Sequence, residues 1–223
     1  MPSVKIPRKS TDTDMTPFVD IAFLILSFFI MATKFKPPEP VEVTTPGSVL
    51  SQKLPENNAI LVTIDSTDKV YFTVLSEKNK TIMDLIINAL NTSQNLQLTP
   101  AEIQNFRQTA IVGVPFTGVK QLLGTPAKEQ MTLRQPGIPV KDTANNQLIW
   151  WIREAKNAFA NQNEKLNYLI KGDAKSKYPA FEAVINAFKK NDILKYNLVT
   201  SLDEIPTGSE LDKTLQAGLK PDK

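Results

Sequence analysis

The chain has 223 residues, of which 26 are basic and 23 acidic, so its net charge is only +3. This balance lacks the basic excess typical of a nucleic-acid-binding protein. Neither cysteine nor histidine is present, which excludes disulfides, thiol catalysis, Cys- or His-ligated metals and any triad that needs an imidazole. An enzyme would have to work with carboxylates, lysine, tyrosine or hydroxyl groups alone, so we expect neither an enzymatic activity nor a cofactor.

A run of apolar residues from Pro17 to Thr33 lies close to the N-terminus. As a helix, these 17 residues would be about 25 Å long, which is the short limit for crossing a hydrocarbon core of roughly 30 Å. Phe35 can extend the span because it is apolar. The two lysines beside it can do so because their stems are apolar and their charged ends reach the interface. We therefore predict a transmembrane helix over residues 17–36.

A cleaved signal peptide is an alternative interpretation of this run, and the charges beside the run determine its orientation only weakly. A cleaved signal peptide is opposed by Asp20 inside the apolar core and by the lack of a small-residue cleavage site before Pro37. Basic residues are nearly balanced on the two sides of the run, so the positive-inside bias is thin. A short tail, residues 1–16, and a long C-terminal region still favour a cytoplasmic tail and a periplasmic domain, because long domains cross the membrane largely regardless of charge.

Asp20 is a carboxylate near the start of an otherwise apolar helix. An ionised Asp at the centre of a spanning helix costs about 2.5–3.5 kcal/mol, so even near the end it favours a buried partner or a bound proton. At 100° per residue, Thr16, Asp20 and Ser27 share one face of the helix. One interpretation is that Asp20 is simply hydrated near the lipid headgroups. The polar stripe favours the other interpretation, a proton-binding group that faces other helices.

The sequence TPFVDI, from Thr16 to Ile21, resembles the ExbD/TolR family of energy-transducing membrane proteins. The membrane helix of that family opens with a Thr-Pro-x-x-Asp element close after a short cytoplasmic tail. The single span and its Pro-containing exit also lie where that family has them. The resemblance implies proton coupling at Asp20, supported by Pro17 and by the polar face of Thr16 and Ser27.

A second stretch, from Leu166 to Thr200, is similar to the strand-helix-strand unit that closes the family's periplasmic domain. Asp173 ends the first strand of this unit, Tyr178 opens its helix, and Leu198-Val199 form its last strand. Pro179 stands where the family often has glycine, and proline is tolerated at a helix N-terminus. Two separated matches in the right order are more specific than either one alone.

The resemblance implies a bacterial inner-membrane protein that turns proton flow into mechanical work. Two copies, as a homodimer, would cross the membrane inside a ring of ExbB-like multi-span proteins, where Asp20 would take up and release protons. The periplasmic domain would carry the motion to a TonB-like partner that opens outer-membrane transporters. TolR-like and gliding-motor-like stator subunits share this mechanism. A membrane-anchored binding or scaffold domain without proton coupling is the second class of function.

Residues 37–55 are rich in proline, which predicts an extended linker. Val41 and Val43 alternate with polar residues, so a short strand also fits, and proline would confine it to a sheet edge. Relatives have a similar Val-x-Val-x-x-Pro segment that docks as a swapped strand in the dimer. The resemblance thus implies a partner or dimer strand that includes Val41, Val43 and Pro46, while a plain spacer stays open as the alternative.

Residues 56–200 are predicted to form a periplasmic α+β domain. Two β-rich runs, 59–64 and 70–74, flank a Ser-Thr-Asp turn, which predicts a hairpin. Residues 148–161 carry apolar side chains at the spacing of one buried helical stripe. A strand, a helix and a final strand follow at residues 166–171, 178–190 and 196–200. The order ββαβαβ predicts a mixed β-sheet that helices pack on one face.

Residues 76–147 depart from the compact family pattern and are predicted to be an insertion. Helix signals lie at 81–90 and 119–123, and Thr99 to Glu102 form a capping box with proline at the first helical position. The insertion could cover the sheet or form an additional partner surface. Residues 201–223 are predicted to be a polar tail.

Asp65, Asp173 and Glu182 are the acids of this domain that could suggest an active site. Asp65 and Asp173 follow predicted strands directly. Turn or cap roles explain both carboxylates more simply than catalysis does.

Overall fold

The structure is a computed structural model that describes residues 15–32, 41–48, 55, 57–76, 80–130, 132–140, 145–202 and 209. The chain divides into two compact units, Met1–Glu39 and Pro40–Lys223. The first unit contains helix α1, Thr16–Ala32. The helix predicted over residues 17–36 thus begins one residue earlier, and residues 33–36 lie outside the described part of the chain.

Helix α1 is apolar on most of its circumference. Pro17 lies in the first turn, where backbone N–H groups have no intrahelical partner, so the missing N–H is tolerated. Ser27 is half-buried, and its Oγ donates a hydrogen bond to the backbone oxygen of Leu24 at 2.9 Å. Across the described ranges, no helix combines the length and the apolar character that a membrane crossing requires.

The second unit is built on a mixed four-stranded sheet. The bounds of the described strands are β1 Gly47–Ser48, β2 Ala59–Ile64, β3 Val70–Leu75, β4 Asn167–Gly172, β5 Asn197–Val199 and β6 Ser201–Leu202. Strands β2 and β3 pair antiparallel as the predicted hairpin, whereas β4 pairs in parallel with both β2 and β5, giving the order β3-β2-β4-β5. Strands β1 and β6 form a separate parallel pair.

Helices cover one face of this sheet. Buried residues of five helices form one cluster with Ile60, Val62 and Phe72, which point to the same side of β2 and β3. The helices of this unit are α2 Lys80–Gln94, α3 Pro100–Phe106, α4 Phe116–Gly124, α5 Ala127–Gln130, α6 Leu148–Asn161 and α7 Tyr178–Lys189. All of them except the short α5 contribute to the cluster. The predicted α+β class, with a mixed sheet packed by helices, is confirmed.

Trp151 of α6 shows how the predicted insertion joins the core. Its fully buried ring lies 5.4 Å from the ring of Phe72 in β3, measured between centroids. The rings of Phe106 in α3 and Phe116 in α4 lie 6.0 and 6.2 Å away. The described residues of the insertion therefore cover the sheet, which is the first of the two predicted roles, and a partner surface on the insertion stays a prediction.

The insertion also pairs with the outer edge of β3. The N–H of Val112 donates to the oxygen of Phe72 at 2.8 Å, and the N–H of Phe72 donates back at 2.7 Å. The N–H of Ile138 donates to the oxygen of Val70 at 2.8 Å. These bonds satisfy backbone groups that would otherwise be a template for another strand.

Gly113, next to this pairing, is expected to tolerate no side chain. A Cβ added there would overlap Cδ1 of Tyr71, so the ring or the backbone would have to move. We expect Gly113→Ala to lower the free energy of unfolding by about 1–3 kcal/mol, measured by urea denaturation. Gly124→Ala is the control, because its nearest atom would be Oε1 of Glu102 at 3.9 Å. Equal stability of the two variants would contradict the tight contact.

Candidate functional site

Helix α1 places the predicted polar residues on one face. Because α1 is an α-helix from Thr16 to Ala32, Thr16, Asp20 and Ser27 project within an arc of about 40°. The hydroxyl of Ser27 bonds to the helix backbone, and the side chain of Asp20 is exposed. The Asp20 carboxylate therefore lies on a helix face whose other polar groups are the hydroxyls of Thr16 and Ser27, which carry no charge.

Residues 41–48, here called the docked segment, open the second unit. Val41 and Val43 are half-buried, whereas Glu42 and Thr44 are exposed, which is the alternation expected of an extended chain. The N–H of Thr44 donates to Oδ2 of Asp173 at 2.8 Å, and the N–H of Ala174 donates to the oxygen of Thr44 at 2.8 Å. The segment is therefore held by specific contacts at the end of β4.

Strand pairing in the docked segment begins later than the alternation predicted. Pro46 has no N–H to donate, and the ladder starts only at Gly47, which pairs with Ser201. The oxygen of Pro46 accepts a hydrogen bond from the N–H of Ser201 at 3.1 Å. Residues 201–202, the start of the predicted tail, thus contribute a short strand. The role of Val41, Val43 and Pro46 in binding a partner or a second copy stays a prediction.

Asp173 is the residue that joins the docked segment to the sheet. Its side chain is only 7% exposed. Oδ1 accepts the N–H of Lys175, two residues on, at 2.8 Å, while Oδ2 accepts the N–H of Thr44. These two hydrogen bonds hold the pKa of the Asp173 carboxyl below its ordinary value, and the bond from Lys175 has the larger effect. Asp173 therefore fills the turn position predicted for it and carries a second contact that its sequence position does not reveal.

The docked segment is expected to loosen in acid. Because the pKa of Asp173 is lowered on folding, its contribution is complete above the unfolded-state pKa of about 3.9 and is lost as the pH falls through the folded-state pKa. Hydrogen exchange should show the protection factor of the Thr44 amide falling below about pH 4. The Val112 amide, bonded to a carbonyl, is the control and should keep its protection. A Thr44 amide whose protection does not change with pH would contradict the carboxylate contact.

A cavity of about 280 Å³ opens between the β2–β3 hairpin and the insertion, with Val41 in its lining. Tyr71 donates its hydroxyl hydrogen to Oδ2 of Asp65 at 3.2 Å. Partial burial raises the pKa of Asp65, but hydrogen bonds from Lys69 and Thr67 outweigh it, and the net pKa is lowered. Burial and the adjacent Asp65 charge raise the pKa of Tyr71 to about 12. At neutral pH this pair is a carboxylate and a neutral phenol that together fix the hairpin.

Asp65 and Asp173 follow the neighbouring ends of β2 and β4, where Ile64 pairs with Gly172, and the Asp65 charge acts on Asp173. Each of these two carboxylates is nevertheless bound within its own turn. Oδ1 of Asp65 accepts the N–H of Thr67 at 2.7 Å, so Asp65 closes the hairpin turn as predicted. Glu182 lies on α7, in the lining of a different surface groove. Within the described ranges, no group of three or more carboxylates could hold a metal ion.

Residues 7–115 match the family model described as biopolymer transport protein ExbD/TolR. This part of the chain, which includes α1, the docked segment and the hairpin, is similar to the ExbD/TolR family domain, and the predicted resemblance is confirmed over it. The match also runs through residues 76–115, the first part of the predicted insertion. No curated protein and no solved structure matches the chain. The second resemblance, Leu166 to Thr200, lies outside the matched residues and stays a prediction.

Proposed function

We propose that this protein is an energy transducer of the bacterial inner membrane that uses proton flow to drive transport across the outer membrane. The similarity of residues 7–115 to the ExbD/TolR family domain supports a role in biopolymer transport. The observation that carries proton coupling is the position of Asp20, which shares one helical face with Thr16 and Ser27 in the otherwise apolar α1.

In this proposal, residues 17–36 span the membrane and residues 1–16 lie in the cytoplasm. The 17 residues of α1 give a rod of about 25 Å, shorter than the roughly 30 Å hydrocarbon core. The sequence after Ala32 continues with Thr33, Lys34 and Phe35, and lysine stems can cover the remaining distance. Every apolar side chain of α1 is exposed, which suits a helix whose surroundings are lipid and other membrane helices.

Asp20 would exchange protons within a ring of ExbB-like multi-span proteins. Lipid gives a carboxylate no hydrogen-bond partner, so Asp20 is stable at membrane depth only when it faces protein or holds a proton. Each proton bound or released changes the charge on α1 by one unit. Such a change alters which neighbours the helix face prefers, and this preference can drive movement of the helix within the ring.

The second unit would lie in the periplasm and act on a TonB-like partner as part of a homodimer. The docked segment supports this mechanical role, because the hydrogen bond from Thr44 to Asp173 holds it at the end of β4. In a dimer with exchanged segments, the same contacts would form between copies. TolR-like and gliding-motor-like stators share this arrangement and differ in the partner that receives the motion.

The proposed topology predicts a defined pattern of protease cleavage. Protease added to spheroplasts is expected to digest the chain after Lys36 and to spare a tag placed before Met1, because only the second unit would face the periplasm. A cytoplasmic marker protein that survives intact is the control for sealed cells. Protection of the second unit would contradict both the topology and the energy-transducing role.

A further inference from the structure

Strand β5 lies at one edge of the four-stranded sheet. Its inner side pairs with β4, and no described strand pairs with its outer side. The opposite edge differs, because Val112 and Ile138 bond to β3 there. Leu198 in β5 is 53% exposed, and Leu194 just before it is 78% exposed. Apolar side chains beside an unpaired edge form a surface to which an extended chain can add as a strand.

A groove of about 610 Å³ lies next to this edge. Its lining residues are those at the beginnings of β4 and β5 and those just before them, and Asn197 belongs both to the groove and to β5. Tyr168 and Tyr196 line it, and their rings lie 5.9 and 5.8 Å from the ring of Phe188 in α7, measured between centroids. These contacts hold both tyrosines against the core. The groove therefore offers a fixed aromatic wall on which a side chain of an added strand can pack.

The charge of the groove is positive. Its charged lining residues are Lys165 and Lys195, both exposed, and neither forms an ion pair with a residue in the described part of the chain. Lysines at a sheet edge disfavour pairing with an identical edge, because two copies would bring like charges together. The same lysines favour a partner that carries carboxylates.

We propose that β5 and this groove bind an extended, acidic peptide segment by strand addition. The backbone of the segment pairs with the outer side of β5, its apolar side chains cover Leu194 and Leu198, and its carboxylates lie near Lys165 and Lys195. The inference goes beyond the proposed function, since it requires neither proton flow nor Asp20.

The test uses the full chain in detergent micelles and two labelled peptides of about nine residues, one alternating Glu with Val and one alternating Lys with Val. Fluorescence anisotropy is expected to show binding of the acidic peptide and at least about tenfold weaker binding of the basic one. A third peptide, acidic but with proline at its centre, should also bind about tenfold more weakly, because proline removes a backbone donor.

The double variant Lys165→Glu, Lys195→Glu should lose acidic-peptide binding by about tenfold, while Lys80→Glu, an exposed lysine on α2, is the matched control and should bind normally. Salt titration of the unaltered chain gives a second readout that no folding defect affects, and rising salt should weaken binding. Equal binding of the acidic, basic and proline peptides would overturn the proposal. So would concentration-dependent protection of the Leu198 amide without peptide, which would assign the edge to a second copy.

Discussion

Cells that carry Asp20→Asn in place of the native residue are expected to lose transport driven by the proton-motive force, down to the level of a deletion strain. Asn keeps the size and most of the hydrogen bonding of Asp, but it cannot bind and release a proton. The loss should occur at normal abundance of the membrane complex, because an amide satisfies the same neighbours without a buried charge. Asp20→Glu keeps the acid and moves it by one methylene, so partial activity is expected.

The matched control for this result is Asp192→Asn, a carboxylate-to-amide change in the second unit. Asp192 is exposed, and its φ of 59° lies in the left-handed region, which Asn adopts as readily as Asp. Transport should be normal in this variant. A purely structural role for Asp20 leads to a different outcome, since Asn would then be tolerated. Full transport by Asp20→Asn at normal abundance would leave only a membrane-anchored scaffold as the function.

Trp151→Ala is expected to be the most destabilising single substitution in the second unit. The ring is fully buried among Phe72, Phe106 and Phe116. Its removal therefore eliminates packing contacts with the sheet and with two helices of the insertion at once. We expect the free energy of unfolding to fall by about 3–5 kcal/mol, measured by urea denaturation of the full chain followed by circular dichroism. That loss is comparable to a large part of a typical domain's stability.

Two tryptophan-specific controls separate packing from hydrogen bonding. Nε1 of Trp151 is buried without a partner in the described part of the chain, so Trp151→Phe removes an unsatisfied donor and should lose much less stability than Trp151→Ala. Trp150, one residue earlier, is half-buried and lies under the guanidinium of Arg153 at 4.5 Å, so Trp150→Ala should lose about 1 kcal/mol. Similar losses for Trp150→Ala and Trp151→Ala would contradict the central place of Trp151.

Local patterns predicted much of the fold, because the segments concerned fold by short-range rules. The apolar stripe of α6 gave the observed bounds, Leu148–Asn161. The capping box at Thr99 is formed as predicted, with the side chains of Thr99 and Glu102 each bonded to the other's backbone. The hairpin of β2 and β3 differs from its prediction only at Leu75, since alternating β-branched residues around an Asp-containing turn favour one register.

The contacts that hold the docked segment could not be predicted, since they join residues far apart in the chain. Nothing near Thr44 indicates that its N–H meets the Asp173 carboxylate, because a backbone donor has no sequence signature. The packing of Phe106 and Phe116 on Trp151 is of the same kind. Periodicity showed that these residues would be buried, but not which surface would bury them. The sequence of the insertion therefore fits two roles, and its packing on the sheet distinguishes them.

Proton flux through the reconstituted complex tests the central role of Asp20 most directly. The full chain is placed in sealed vesicles together with the proposed ExbB-like ring protein. A membrane potential is imposed, and the pH inside the vesicles is followed with an entrapped dye. The proposed mechanism predicts a potential-dependent pH change with Asp20 present and no change above that of empty vesicles with Asp20→Asn. An equal pH change with the two chains would contradict proton transfer by this carboxylate.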